Sequence, residues 1–247
     1  MARETVETHF GRKADHYDRA SWVQNRELLT WAQDAIGFSA ARTIVDIGGG
    51  TGVLASHLRD QNPHVNVINL DISMAMSMIA SRKGLQCVVA DAGLLPIGTT
   101  AADAVILRQV LHYVDCVESA LAECWRILKP KGIIIVNQFV PRDKAEMAVM
   151  QIVRIFQPVR KRVLTTDQLT QQLSHAGFQG HSISKIQIDE PLYGWLERHN
   201  ASSFTQRLLQ GLVRCGIHAH ITPLRFVITE AGIHGSASFV CLVGAKK

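Results

Sequence analysis

Three carboxylates stand at or near the ends of short β-branched runs: Asp46 in TIVDI, Asp71 after VNVINL and Asp91 after LQCVVA. Asp46 leads into Ile47-Gly48-Gly49-Gly50-Thr51-Gly52. Glycines in such a strand-to-helix turn permit positive φ and let the backbone approach a ligand closely. Gly48, Gly50 and Gly52 follow the acid in a D-x-G-x-G-x-G spacing. A dinucleotide fingerprint needs a further glycine where Val53 stands, and no Lys-Ser or Lys-Thr pair follows to make a phosphate-binding loop. An acid beside the turn suits a ligand carrying an amine better than one carrying a pyrophosphate. Asp71 lies at the place where an acid can accept both hydroxyls of a ribose. Asp91 with Ala92 is placed to read an adenine amino group. One such aspartate is usually a helix cap or a turn residue. Three at the tips of successive strands point together at one nucleoside-and-amine site.

Chemistry beyond binding rests on fewer residues. His112 is the first candidate general base, because an imidazole titrates near neutral pH; the alternative is that it packs or caps the start of the next helix. Arg108 and Gln109 follow the fourth strand-like run. Tyr17, Tyr193 and Trp195 could line an aromatic acceptor pocket, although the last two could equally anchor a segment to the sheet. His218 and His220 stand two apart, but no metal-binding spacing is present and no metal is assigned.

These residues need a scaffold. The runs 43–47, 65–70, 85–90, 103–107 and 132–140 read as buried strands. Between them, Val53–Asp60, Met74–Lys83 and Val117–Leu128 carry helical patterns. Strand and helix in alternation predict the α/β class: a Rossmann-like, doubly wound, seven-stranded, mostly parallel sheet. Residues 4–37 read as two helices. The first has a stripe of Val6, Phe10, Ala14 and Tyr17; the second runs from Trp22 to Ile36, ending at Gly37. Later, 142–157 and Thr166–Ala176 read as helices, Ser182–Ile188 as a sixth strand and 236–247 as the last. Residues 1–40 are therefore expected to form a helical lid on a core of 41–247, with 190–234 a helical insertion over the substrate.

The 47% hydrophobic content of the 247 residues allows one ordinary globular core. Five scattered cysteines suggest no disulfide framework. The polar, charged first residues and the absence of a long apolar run point to a cytoplasmic protein without membrane insertion. The net charge of +5 is mostly dispersed, and its one dense cluster is Arg154, Arg160, Lys161 and Arg162. That cluster is either a solvated face or a dock for an anionic substrate or an acidic carrier protein.

The motifs together resemble the class I S-adenosylmethionine-dependent methyltransferases. The resemblance is carried by VDIGGGTG (45–52), LDISMAM (70–76), ADAGLLPI (90–97), DAVILRQVLHYV (103–114) and ECWRILKPKGIIIV (123–136). It implies S-adenosylmethionine as cofactor, with Gly48, Gly50 and Gly52 around its methionine part and Asp46 near the amine. Asp71 would then hold the ribose, Ile72 and Met76 would flank the adenine, and Asp91 with Ala92 would read its edge. Arg108 would reach the cofactor's methionine end, and Gln109 the acceptor. The string Phe10-x-x-x-Ala14-x-x-Tyr17-Asp18 resembles the lid of the ubiquinone/menaquinone C-methyltransferases and malonyl-carrier-protein O-methyltransferases, whose tyrosine lies against the cofactor pocket. The same string is also an ordinary amphipathic stripe.

The expected activity is methyl transfer to a small-molecule acceptor, aromatic, quinone-like or carboxylate, anionic or carrier-bound, with a homodimer as an open option. An NAD-dependent oxidoreductase and a non-catalytic cofactor-binding regulator are the rival readings. A nucleic-acid partner is not expected: Leu107-Arg108-Gln109-Val110 stands where base-methylating enzymes carry N/D-P-P-Y, and no aromatic-basic stripe is present.

Overall fold

The computed structural model describes residues 4–37, 41–144, 146–148, 150–151, 159–191, 225–229 and 232–247. Five strands form the parallel half of one sheet: β1 (Thr43–Ile47), β2 (Asn66–Asp71), β3 (Gln86–Val89), β4 (Ala102–Arg108) and β5 (Leu128–Phe139). Three more complete it: β6 (Gln179–Pro191), β7 (Arg225–Thr229) and β8 (Gly232–Ala245). The order is β3-β2-β1-β4-β5-β8-β6, with β7 paired to β8 outside that path. β8 runs antiparallel to β5, β6 and β7. The strand order reverses where β1 lies between β2 and β4, so a crevice opens at the carboxyl ends of those three strands.

The doubly wound arrangement follows from the pleat. Along β1, Val45 and Ile47 belong to one apolar cluster, with Val105, Leu107, Ile134 and Val136 from neighbouring strands. Ile44 belongs to the opposite cluster, with Ala104, Ile106 and Ile135. Both faces are covered, which is why these strands read as unbroken apolar runs. On the first face lie α5 (Val117–Ile127) and α6 (Thr166–His175). On the second lie α2 (Arg26–Ile36), α3 (Val53–Gln61) and part of α4 (Met74–Arg82).

The structure departs from the sequence expectations in four places. Only Val6–Lys13 is α-helical at the start (α1), and Ala14–Arg19 winds into a tighter 3-10 turn. α2 begins at Arg26 rather than Trp22, because the Asn25 side chain accepts the Leu28 amide (3.0 Å) and caps the helix there. β5 starts at Leu128, ahead of Gly132, at the cost of a register shift and a positive φ of 65° at Lys131. Within the expected 190–234 insertion, RFVIT forms β7, a hairpin arm on an extended β8, which adds an eighth strand beside the expected seven-stranded path. Tyr193, Trp195, Arg154, His218 and His220 lie outside the described residues.

Candidate functional site

A cavity of about 450 Å³ occupies the crevice at the reversal point. Its floor is the β1–α3 loop, and that loop is assembled by Asp71. The Gly50 amide donates to Asp71 Oδ2 (2.9 Å) and the Ser73 amide to Oδ1 (2.8 Å). Behind it, the Asn69 side chain donates to the Gly50 carbonyl (3.2 Å), and the Gly49 amide donates to Leu70 O (3.0 Å). Asp71 is buried, and burial raises its pKa while the two amides hold it down. Each of its oxygens keeps a further lone pair for a ligand. Gly48 adopts φ 66°, and a Cβ there would stand 2.4 Å from Val110 Cγ2. Only glycine fits that position, and it keeps the backbone against the cavity.

Asp46 lies one layer below. It is 1% exposed, and among the described residues neither of its oxygens has a hydrogen-bond partner. Asn69 Oδ1 is likewise unpartnered. Burial raises the Asp46 pKa to about 7, with Arg108 opposing the rise and Asp71 adding to it. Two acceptor oxygens, Asn69 Oδ1 and Asp46 Oδ2, meet beneath Gly49 without a donor. A proton on Asp46, or a nearby ammonium group, is what that cluster lacks.

The N-terminal segment roofs the cavity. Tyr17 Cε1 lies 3.6 Å from the position of a Cβ on Gly50, and its ring meets Phe10 and Trp22 edge-on at 5.9 and 5.8 Å. Asp18 ties this segment down: it accepts from the Thr51 hydroxyl and pairs with Lys83 (3.0 Å). At the carboxyl end of β4, Arg108 donates to Val23 O (3.0 Å) and stands over the Trp22 ring (5.2 Å). Gln109 follows with φ 61°, a left-handed conformation that a side-chain-bearing residue rarely adopts.

Of the residues singled out from sequence, Tyr17, Gly48, Gly50, Asp71 and Ile72 line the cavity. So do Met76, Asp91, Ala92, Arg108 and Gln109. Three others do not. Asp46 sits beneath the loop. Gly52 is the residue before α3, and a Cβ on it would strike Leu85 Cδ1 at 2.3 Å, so it serves packing. His112 is 1% exposed, behind the wall formed by its neighbours. Burial first, then Arg160, lowers its pKa well below the usual histidine value and holds it neutral. Sequence reasoning does not reach Tyr113 and Asp115 on the turn after β4; Lys161, from the basic cluster, joins them on the cavity wall and pairs with Asp115 (2.7 Å). Their meeting depends on the Lys161 amide reaching His112 O (2.8 Å) across the fold, which no local pattern announces.

Among the described residues no cluster of histidine, cysteine and carboxylate side chains could hold a metal ion, and no helix is long and apolar enough to cross a membrane.

A family model described as a methyltransferase domain matches residues 45–136, the span from β1 through most of β5. Indole glucosinolate O-methyltransferase 1 of Arabidopsis thaliana is 32% identical over 113 residues, 44% of this chain but only 29% of that protein. The demethylmenaquinone methyltransferase of Thermus thermophilus is 33% identical over 155 residues, 57% of this chain and 69% of the relative. The crystal structure of the YcgJ protein from Bacillus subtilis aligns with a TM-score of 0.76 at 18% identity, covering 90% of this chain and 99% of that one, and so shares the fold.

Proposed function

The chain belongs to the class I S-adenosylmethionine-dependent methyltransferases, and from that premise we propose that it transfers a methyl group from S-adenosylmethionine to a small-molecule acceptor. The observation that carries the reading is Asp71, held at the cavity floor by the Gly50 and Ser73 amides with lone pairs to spare. The unpartnered Asp46 beneath the same loop fits the cofactor's amine.

When bound, S-adenosylmethionine supplies a methyl group on a sulfonium, with a neutral thioether as leaving group. The protein's part is positional. Asp71 orients the ribose hydroxyls, and Ile72 and Met76 flank the adenine while Asp91 and Ala92 meet its edge. Gly48 and Gly50 let backbone approach the methionine portion, with Arg108 at the same end. Tyr17 closes the roof and excludes water, which favours in-line displacement by holding the reactants in attack geometry. Gln109, on its strained backbone, faces the acceptor side. Residues 1–40 act as the cofactor lid, and the acceptor is aromatic, quinone-like or carboxylate in type. Lys161 on the cavity wall favours an anionic or carrier-bound acceptor.

Calorimetric titration with S-adenosylhomocysteine and, separately, NAD tests the reading. Micromolar binding of the first and none of the second is expected; the reverse would return the protein to the oxidoreductases.

Asp46 adds a pH signature. In the empty protein its pKa is raised to about 7, so at pH 6 most molecules carry the proton. An ammonium beside it favours the carboxylate, so binding at pH 6 should release close to one proton and binding at pH 8 almost none. Calorimetry in two buffers of different ionisation enthalpy reads this directly. Equal, near-zero release at both pH values would remove Asp46 from the amine's surroundings. The same shift sets a stability trend. The folded state holds this proton more tightly than the unfolded chain, so the empty protein loses stability as pH rises from about 4 toward 7.

A further inference from the structure

A chain of side-chain amides fixes which nitrogen of His112 carries the proton. The Asn137 carbonyl can only accept, so the long contact from Gln109 Nε2 (3.5 Å) sets the Gln109 amide, leaving its Oε1 toward Gln138 Nε2 (3.4 Å). Gln138 Nε2 in turn lies in close contact with His112 Nδ1. Turning either amide over would set oxygen against oxygen. Nδ1 therefore accepts, and in the neutral ring the proton sits on Nε2.

That Nε2–H is buried and has no partner among the described residues, and the same is true of Arg160 Nε. The two residues flank one ring: His112 lies 4.0 Å from Tyr113 centroid to centroid, and the Arg160 guanidinium stands 5.7 Å from that ring's centre. Tyr113 itself lines the cavity. The surrounding charge is positive. Arg162 spends its donors on Leu111 O (3.4 Å) and Asp115 O (2.8 Å), and the carboxylate of Asp115 is engaged by Lys161 (2.7 Å). Buried donors left unsatisfied cost about 1–3 kcal/mol each, a cost relieved when an acceptor atom arrives.

We propose that His112 Nε2–H and the Arg160 guanidinium form a binding site, behind Tyr113, for an oxygen anion carried by the methyl acceptor: a carboxylate or an ionised enol or phenol. His112 is thus a hydrogen-bond donor to the acceptor rather than a general base, since its proton-bearing nitrogen is the free one. The proposal rests on the methyltransferase reading for the identity of the ligand, but the anion site itself does not depend on it.

The test uses the full chain labelled with 15N in histidine and arginine, with and without S-adenosylhomocysteine, titrated with formate and then with formamide. Formate should shift the His112 Nε2 and Arg160 Nε resonances saturably, and neutral formamide should not. Arg160→Gln should raise the formate half-saturation roughly tenfold, the loss expected for one hydrogen bond between charged groups. Equal responses to formate and formamide, or no response to either, would show that water alone occupies the place and would overturn the proposal. The contrast is read in the wild type, so it holds even if the variant folds poorly. Failure of S-adenosylhomocysteine to bind, with the formate response intact, would instead strike the methyltransferase reading.

Discussion

Asp71→Ala should weaken S-adenosylhomocysteine binding by at least about 100-fold, or roughly 2.7 kcal/mol. Two losses combine. The ribose hydroxyls lose their charged acceptor, and the Gly50 and Ser73 amides lose the oxygens that hold the loop at 2.9 and 2.8 Å. A hydrogen bond to a charged group contributes about 1.5–3 kcal/mol, so the loop's shape is itself at stake. Asp71→Asn is no gentle control, because its NH2 would face one of the two amides donor to donor. Calorimetry at constant pH, with circular dichroism to confirm folding, gives the comparison. Binding within threefold of wild type in a folded Asp71→Ala protein would mean that this acid holds only the loop.

Gly49→Ala should unfold the protein at a lower temperature by roughly 6–12 °C and abolish cofactor binding together with it. A Cβ at Gly49 would stand 2.2 Å from Asn69 Oδ1 and 2.8 Å from Asp46 Oδ2. Both neighbours are buried, at 0% and 1% exposure, and neither is the tip of a side chain free to swing away. Overpacking a closed site costs about 1–3 kcal/mol. Moving Asn69 also releases the Gly50 carbonyl from its side chain, an unsatisfied group worth about as much again. Gly98→Ala is the control, since nothing lies within 4 Å of a Cβ there. Thermal scans of the three proteins decide it: a Gly49→Ala midpoint matching Gly98→Ala would mean the loop tolerates the methyl group by shifting.

The parallel half of the sheet and the cavity floor were legible because both write themselves locally. Strands buried on two faces must be apolar throughout, and a tight turn near backbone and ligand must be glycine-rich, so 43–52 reads as strand and loop without help from elsewhere. The acids at strand ends follow from the same geometry. Spacing groups Gly52 with the cofactor glycines because it does not reveal which side of a loop a Cα faces; its neighbours Leu85 and Ala80 come from the next unit along the chain. The role of His112 was illegible for a stronger reason. Its tautomer is set by Gln109 and Gln138, 29 residues apart in sequence and brought together only by the β4–β5 pairing. The β7 arm was hidden by its brevity. RFVIT, four of whose five residues are β-branched or aromatic, pairs only because β8 extends beyond its last β5 partner, at Phe239, to offer a free edge over 232–236.

The roof over the cavity is held lightly, and this bears on timing. α1 buries none of its residues, and the Asp18–Lys83 pair is about a third exposed on both sides, where such pairs contribute about 0.2–1 kcal/mol. The depth of the cavity sets how tightly a ligand is held, but its passage in and out runs beneath Tyr17. On the proposed reading of 1–40 as a lid, exchange of spent product for fresh cofactor would be uncoupled from the rigid sheet, the floor staying fixed while this weakly tethered segment lifts and resettles.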